Sequence, residues 1–466
     1  MAVSTTARQP NDTSEVLLDE YEHEPVPSHA RRPLRSVAAV WLGFPMIMTS
    51  AVFGGVITYN LGFLQGLLAI VAGNAILMVY VGSLSYIAGT TGESFALTAR
   101  KVFGTRGSLI VSGILSTLVI GWFALQTGMV GDILSANYGW SAVACTILAG
   151  IGFVAVTFLG IGALAVIGVI GSGMFAVAGI AAVALAFSGY GFSDLTGYSS
   201  GVGPGAQALS FGACVTIVVA CFIDSGTMTA DFTRWAKNGR QAVLASFAAF
   251  PFGNMFAQLV GAAIVALGAS QNPADDGGDF MHLLVSHGGW LVPVAFIFVV
   301  VNLGSVCSHC LYNGAVGWSQ ISGLKMRTLT LLLGTAGVAI AALGVTDHFL
   351  VWLDFLGVFV PPLGAVVIVH QLMTRYGASE NNSPIHLRSF AAWVIGAALA
   401  FLCSQYFPQA CAALVGIAVS GAMAYLFTRS SSAVRPRAEH PQTERQQPAE
   451  RLHDLRQLRE SSARPR

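Results

Sequence analysis

Asp224 is the residue whose position most demands a chemical explanation. It follows an apolar run, Ala208 to Phe222, within the stretch Cys221-Phe-Ile-Asp-Ser-Gly-Thr-Met-Thr-Ala-Asp231. A carboxylate at mid-membrane costs roughly 2.5–3.5 kcal/mol on insertion scales, so such residues face a cavity or a partner. The sudden Ser225-Gly-Thr also weakens a helix. Broken backbone at membrane depth persists only where protein or water satisfies it, and the sequence therefore predicts a break at 224–226.

Few other polar side chains share this setting. Trp122 and Gln126 are four apart and share a helix face. An indole beside an amide suits a flat, hydrogen-bonding ring; equally, it suits a packed Trp and a Gln bonded to a neighbouring helix. Phe222 and Ser225 flank Asp224. The phenyl ring either closes a planar ligand from the other side or belongs to the core. Asn302 and Ser305, three apart, carry oxygens able to ligate a hard cation such as Na⁺. Cys307, His309 and Cys310 invite a zinc reading. Zinc needs three or four convergent ligands, and successive helix positions point different ways, so no metal site is expected. His309 is then either a group titrating near neutral pH or an interhelical hydrogen bonder. Asp231 and Arg234, one turn apart, read as a local surface pair. Asp354, beside Trp352 and Phe355, either lines an outer vestibule or has no role in a site. There is no P-loop, nucleophile elbow or H-E-x-x-H signature. An ATP-driven pump or a hydrolase has nothing to stand on, and neither enzyme activity nor a cofactor is expected.

The elements that must hold these residues follow from composition. The chain is 54% hydrophobic and 10% charged, whereas soluble domains carry about 25% charged residues. It is a polytopic membrane protein. Its seven cysteines lie in apolar segments or at their ends, as buried small hydrophobes do. Residues 1–33 read as a disordered cytoplasmic tail without a signal-peptide layout, 34–428 as the membrane domain, and 429–466 as a second disordered cytoplasmic tail. Crossing a bilayer as a helix takes about 20 apolar residues. Twelve segments qualify, near 36–58, 63–88, 109–131, 141–160, 163–187, 208–223, 241–268, 290–319, 328–345, 347–372, 389–406 and 409–428. With the N-terminus inside, no outer loop contains Lys or Arg, while Arg100, Lys101, Arg106, Arg234, Lys237, Arg240, Lys325, Arg327, Arg375 and Arg388 all fall inside. That distribution puts both tails in the cytoplasm of a cell whose plasma or inner membrane holds the chain.

Several spans are interrupted. Gly43-Phe-Pro45 must kink or unwind the first, and the sixth breaks near Asp224. In two five-span repeats these positions correspond, the sequence pointer to an inverted-repeat transporter with a midplane site. Pro361-Pro362 predicts a further break in the tenth.

With these marks in view, the chain resembles the nucleobase:cation symporter-1 family, and within it the bacterial cytosine permeases. The resemblance is carried by Pro25-Val-Pro-Ser-His-Ala-Arg31, Gly121-Trp-Phe123, Gly226-Thr-Met-Thr-Ala-Asp-Phe232 with Arg234, Leu311-Tyr312 and Pro361-Pro362-Leu-Gly364, and spans residues 25 to 428. It implies an all-α LeuT-type fold: two inverted five-helix repeats plus two peripheral helices, importing a nucleobase or related heterocycle by alternating access. It places the stacking aromatics on Trp122 and Phe222 and an amide reader on Gln126; beside them, Asp224, Ser225 and Asn302 are expected to contact the polar edge of the ring. Cation ligands fall on the carbonyls of Gly43, Met46 and Asn302 and the hydroxyl of Ser305. The expected partners are the heterocycle and the bilayer, with no nucleic acid.

Two departures matter. Val306 stands where the family has a second hydroxyl ligand, which weakens Na⁺ and strengthens H⁺ as the coupling ion. Asp224 replaces a small hydroxyl residue; as a carboxylate it accepts from substrate N–H donors or, buried, acts as the proton carrier. A non-transporting sensor or scaffold on the same fold, motivated by Val306 and the charged C-terminal tail, is the alternative.

Overall fold

A computed structural model of the chain describes residues 20–190, 193–204, 206–377 and 383–433. In chain order the helices are α1 (Leu34–Leu42), α2 (Met48–Leu61), α3 (Phe63–Thr91), α4 (Phe95–Phe103), α5 (Gly107–Tyr138), α6 (Ala142–Phe158), α7 (Ile161–Tyr190) and α8 (Ser193–Gly197). There follow α9 (Phe211–Ala220), α10 (Ile223–Thr227), α11 (Ala230–Thr233), α12 (Gly239–Phe247), α13 (Met255–Ala266), α14 (Met281–Ser286) and α15 (Leu291–Ser322). The last are α16 (Met326–Ala342), α17 (Phe349–Met373), α18 (Leu387–Tyr406) and α19 (Ala412–Ala433). Residues 426–433, the described part of a second compact unit (Leu426–Arg466), are helical.

Among the described residues eight helices are long and apolar enough to cross a membrane, and three shorter apolar helices join them (Ala142–Phe158, Phe211–Ala220 and Met326–Ala342). Leu148, Val177, Leu332 and Leu402 are exposed on these helices, as a hydrocarbon solvent allows. The helices pack in two groups. One comprises α1 to α3 with α9 to α13; the other comprises α5, α6, α15 and α16. α7 touches both, and α17 lies against α3, α9, α10 and α18.

Glycine sets the closest crossings. A Cβ on Gly54 would stand 1.8 Å from the Gln258 carbonyl oxygen, and one on Gly261 would stand 1.8 Å from that of Ala51, so α2 and α13 touch backbone to backbone. Such contact is what small residues supply where lipid offers no hydrophobic drive. Side-chain amides hold the same region: Asn74 on α3 donates to Gln258 Oε1 (2.7 Å), and Asn254 donates to Asn74 Oδ1 (3.0 Å). Asn254 ends a π-helical turn, Ala248–Asn254, that contains Pro251 and joins α12 to α13.

Three sequence expectations change here. Residues 224–226 are not the break: they lie inside the helical turn α10, held by Gly226 N–H to the Phe222 carbonyl (2.7 Å). The irregular backbone flanks that turn, at Phe222 (φ −139°, ψ 13°) and Met228 (φ −86°, ψ 15°). Pro361 and Pro362 do not interrupt α17, which runs through both while packed among its neighbours. Finally, the expected disordered N-terminal tail divides. Residues 1–19 lie outside the described residues, whereas residues 20–33 pack onto the helices, with Glu20 and Val26 buried. Of the second tail, 434–466 lie outside the described residues.

The crossing of α2 and α13 generates a test. Gly54→Val and Gly261→Val should each lower the midpoint of thermal unfolding in detergent by several degrees. Gly152→Ala and Gly162→Ala, where a Cβ meets nothing within 4 Å, should leave it unchanged.

Candidate functional site

Between α1 and α2 the backbone from Gly43 to Ile47 is not helical, with Ile47 fully extended (φ −134°, ψ 162°). Pro45 explains the interruption: it has no N–H to give and its ring opposes the preceding turn. The groups thus freed find partners on α15. Ser305 donates its hydroxyl to the Gly43 carbonyl (2.9 Å), and Asn302 Nδ2 donates to the Met46 carbonyl (3.0 Å) and to Gly171 on α7 (3.1 Å). In return the Met48 N–H donates to Asn302 Oδ1 (2.9 Å). Ser50 closes the loop by donating to the Pro45 carbonyl (2.7 Å). The four residues assigned to a cation site, Gly43, Met46, Asn302 and Ser305, are therefore in direct contact. The carbonyls of Gly43 and Met46 point at donors, so a cation sitting there needs Ser305 to turn its proton away. Val306, buried beside them, brings no oxygen.

The second cluster joins α5 to α10. Trp122 and Gln126 project from one face of α5, and the Trp122 indole and the Ser225 hydroxyl neighbour the Asp224 carboxyl. Asp224 Oδ1 accepts from the Ser225 N–H (2.7 Å), while Oδ2 is buried and has no hydrogen-bond partner among the described residues. A buried acceptor left unmade costs about 1–3 kcal/mol, and the Trp122 indole and the Ser225 hydroxyl are the donors near enough to lessen that cost. Gln126 is oriented from α2: the Thr49 hydroxyl donates to its Oε1 (2.6 Å), leaving the amide hydrogens as what Gln126 can offer. Phe222 meets Phe44 (5.5 Å between centroids) and Phe250 (6.0 Å), on the side of the first helix group. Trp122, Gln126, Phe222, Asp224, Ser225 and Asn302 are 3, 2, 5, 0, 1 and 0% exposed, so the cluster is sealed in this conformation.

A separate cavity of about 260 Å³ lies between α7, α14 and α15, lined by Met174, Val177, Leu284, Trp290 and Phe298 among others. It is apolar and offers nothing to the edge of a hydrogen-bonding ring.

Other expectations are revised. Asp231 and Arg234 are not on the surface: they are 1 and 0% exposed. Asp231 Oδ1 caps the start of α4 through the Phe95 N–H (3.0 Å), and the Arg234 guanidinium donates to the carbonyls of Glu20 (2.8 Å) and Tyr21 (2.7 Å). They remain a local pair, with Arg234 Nε donating to the Asp231 carbonyl (3.3 Å), but the pair is buried and its further partners come only with the fold. His309 bonds the Ser305 carbonyl of its own helix (Nδ1, 2.6 Å) and packs between Phe44 and Phe232. No group of three His, Cys, Asp or Glu able to hold a metal occurs among the described residues. Asp354 is exposed on α17.

Sequence reasoning missed the residues that fasten the α10–α11 segment and the reader amide. Tyr80 on α3 bonds Thr227 (2.7 Å), and Trp41 donates to Thr229 (3.1 Å), which with Ser85 (2.8 Å) and Ser246 (2.7 Å from Ser85) forms a hydroxyl chain. Only Thr49 carried a signal, as the first hydroxyl after the interruption at Pro45.

A family model described as permease for cytosine/purines, uracil, thiamine and allantoin matches residues 25–427. The cytosine permease of Escherichia coli strain K12 is 32% identical over 358 residues, covering 77% of this chain and 82% of that protein. Among solved structures the chain is similar to Mhp1, a nucleobase-cation-symport-1 family transporter, in a closed conformation with bromovinylhydantoin bound. The TM-score is 0.73 at 19% identity, over 90% of this chain and 97% of that one. It is also similar to MhsT in complex with L-phenylalanine, with a TM-score of 0.59 at 13% identity, over 86% of this chain and 98% of that one. These likenesses show a LeuT-type fold.

Asn302 is the residue whose loss this geometry predicts best. Asn302→Ala strands the Met48 N–H and the Met46 carbonyl, at about 1–3 kcal/mol for each buried group left unmade. It should lower the thermal midpoint markedly. Asn302→Asp, which keeps the acceptor for Met48 but not the donor, should fall between wild type and Ala.

Proposed function

The chain belongs to the family of permeases for cytosine/purines, uracil, thiamine and allantoin, is a multi-pass membrane protein, and, we propose, imports a nucleobase or a closely related flat nitrogen heterocycle by cation-coupled alternating access. The observation that carries the reading is the meeting of Trp122, one turn before Gln126 on α5, with Asp224 of the interrupted sixth span. It supplies an aromatic surface, a donor and an acceptor. Trp122 and Phe222 would stack on the two faces of the ring. Asp224 Oδ2 would accept from a ring N–H, and the Gln126 amide, turned by Thr49, would donate to a carbonyl or ring nitrogen. Ser225 would complete the polar edge, whereas the Asn302 amide, spent on Met46, Gly171 and Met48, is left to the interruption rather than to the ring. A ring presenting an N–H beside an acceptor fits such a pair.

The eight long helices, the three shorter apolar ones and the interrupted pair α1–α2 supply twelve crossings in this proposal. They would be arranged as two five-helix inverted repeats, spans one and six being the interrupted pair, with α18 and α19 peripheral. The Lys and Arg distribution favours both tails on the cytoplasmic side, with residues 34–428 forming the transport domain.

For the coupling ion, the Gly43, Met46, Asn302 and Ser305 oxygens are the Na⁺ candidates. The missing hydroxyl at Val306 favours H⁺. Asp224 is the carboxylate placed to carry that proton, since it lies beside the ring site and is enclosed.

Cells expressing the chain should accumulate at least one labelled heterocycle from cytosine, uracil, guanine, hypoxanthine, allantoin and hydroxymethylpyrimidine, assayed with and without sodium. No uptake of any of them, with the protein verified in the membrane, would reject the proposal. Asp224→Asn should flatten the dependence of uptake on external pH. An unchanged profile would leave Asp224 at most a recognition role.

A further inference from the structure

The segment that the sequence assigns to a disordered tail makes a set of contacts that the transport site does not use. Glu20 is only 4% exposed, and its carboxylate is fully engaged. Oε2 accepts from the Tyr312 hydroxyl on α15 (2.8 Å), and Oε1 accepts from the N–H of Ile161, the first residue of α7 (3.2 Å). Helix N-termini leave their first N–H groups free, so Ile161 has a donor to give. The pocket is also shaped for the carboxylate. Gly160 takes the left-handed backbone (φ +86°), and a Cβ there would stand 2.0 Å from Glu20 Oε1. The Tyr312 ring is itself fixed by stacking on Phe232 (5.9 Å, 21°).

The rest of the segment is bound to different helices. The carbonyls of Glu20 and Tyr21 accept from Arg234, just beyond α11. Arg32 N–H donates to the Trp235 carbonyl (2.7 Å), and its guanidinium lies 5.0 Å over the Trp235 ring. Arg31 donates to the Gly89 carbonyl on α3 (2.8 Å), and the Val26 N–H to that of Gly92 (2.9 Å). All of these belong to the helix group of α1 to α3 and α9 to α13. The carboxylates of Glu20 and Glu22 reach instead to α15, α7 and α16, with the Met326 N–H donating to Glu22 Oε1 (3.2 Å). One short segment thus spans both groups at one end of the molecule.

We propose that residues 20–32 form a latch across this end, and that the Glu20 carboxylate must leave its pocket before the two helix groups can part to open it. The inference rests on reading the chain as an alternating-access transporter, in which one group moves against the other; its test requires no substrate. A carboxylate drawn from water into an enclosed site stays only while its hydrogen bonds hold. Removing one donor or the acid itself therefore releases the latch, whereas the segment's other contacts remain.

Ser116 reports on the opening. It is buried on α5 against Gly317 of α15, with Met228 of the opposite group alongside. In the purified full-length protein in detergent, maleimide labelling of Ser116→Cys is followed peptide by peptide by mass spectrometry, with the native cysteines retained. Native Cys214, fully buried on α9, serves as the monitor of general unfolding. Adding Glu20→Ala or Tyr312→Phe should speed labelling at position 116 several-fold while Cys214 keeps its rate. Glu20→Gln, which keeps an acceptor for Tyr312, should have a smaller effect than Glu20→Ala. Unchanged labelling at position 116, or a parallel rise at Cys214, would overturn the latch.

Discussion

A helix interrupted in the membrane exposes backbone N–H and C=O groups that lipid cannot satisfy, and this structure answers that demand with side chains from another helix. The loop from Gly43 to Ile47 is closed by Asn302 and Ser305 of α15. The asparagine works in both directions at once, donating to Met46 and Gly171 and accepting from Met48. Because those groups come from α2, α7 and the loop before α2, a single amide fixes α15, α7 and the interruption relative to one another. The ring site inherits that order. Thr49, one residue beyond the clasp, turns the Gln126 amide.

The sixth span solves the same problem differently. Its α10 turn is short; Thr227 at its end and Thr229 just beyond it are held by hydroxyls from α3 and by the indole of Trp41. Asp224 is the exception. One oxygen is tied to the neighbouring N–H and the other is enclosed without a partner. Asp231 has an oxygen in the same state, but its other oxygen holds the start of α4, whereas Asp224 stands beside the Trp122 indole on α5. Arg234 shows the opposite case, a buried cation whose donors are spent on backbone carbonyls and which therefore serves architecture.

Much of this is legible in the sequence. Pro45 and the glycine two residues before it forecast the first interruption, because proline lacks the donor a helix requires. The three-residue spacing of Asn302 and Ser305 put both on one face of α15, and both do reach the loop. Other features were local in the sequence and non-local in space. Ser225-Gly-Thr read as a break because those types weaken helices, yet Asp224 caps the Ser225 N–H and the turn survives one residue beyond the true irregularity at Phe222. Pro361-Pro362 read as another, but surrounding helices hold α17 continuous.

What the sequence determined alone was therefore the solvent and the inventory: an apolar, charge-poor chain that must live in lipid, with a handful of polar residues too costly to be idle there. Periodicity and residue type encode those facts locally. Tertiary structure alone decided the pairings. Thr49 with Gln126, Asn74 with Gln258, and Glu20 with Tyr312 are 77, 184 and 292 residues apart in sequence. Hydrogen bonds act over about 3 Å, and no local pattern records which distant helix will come that close.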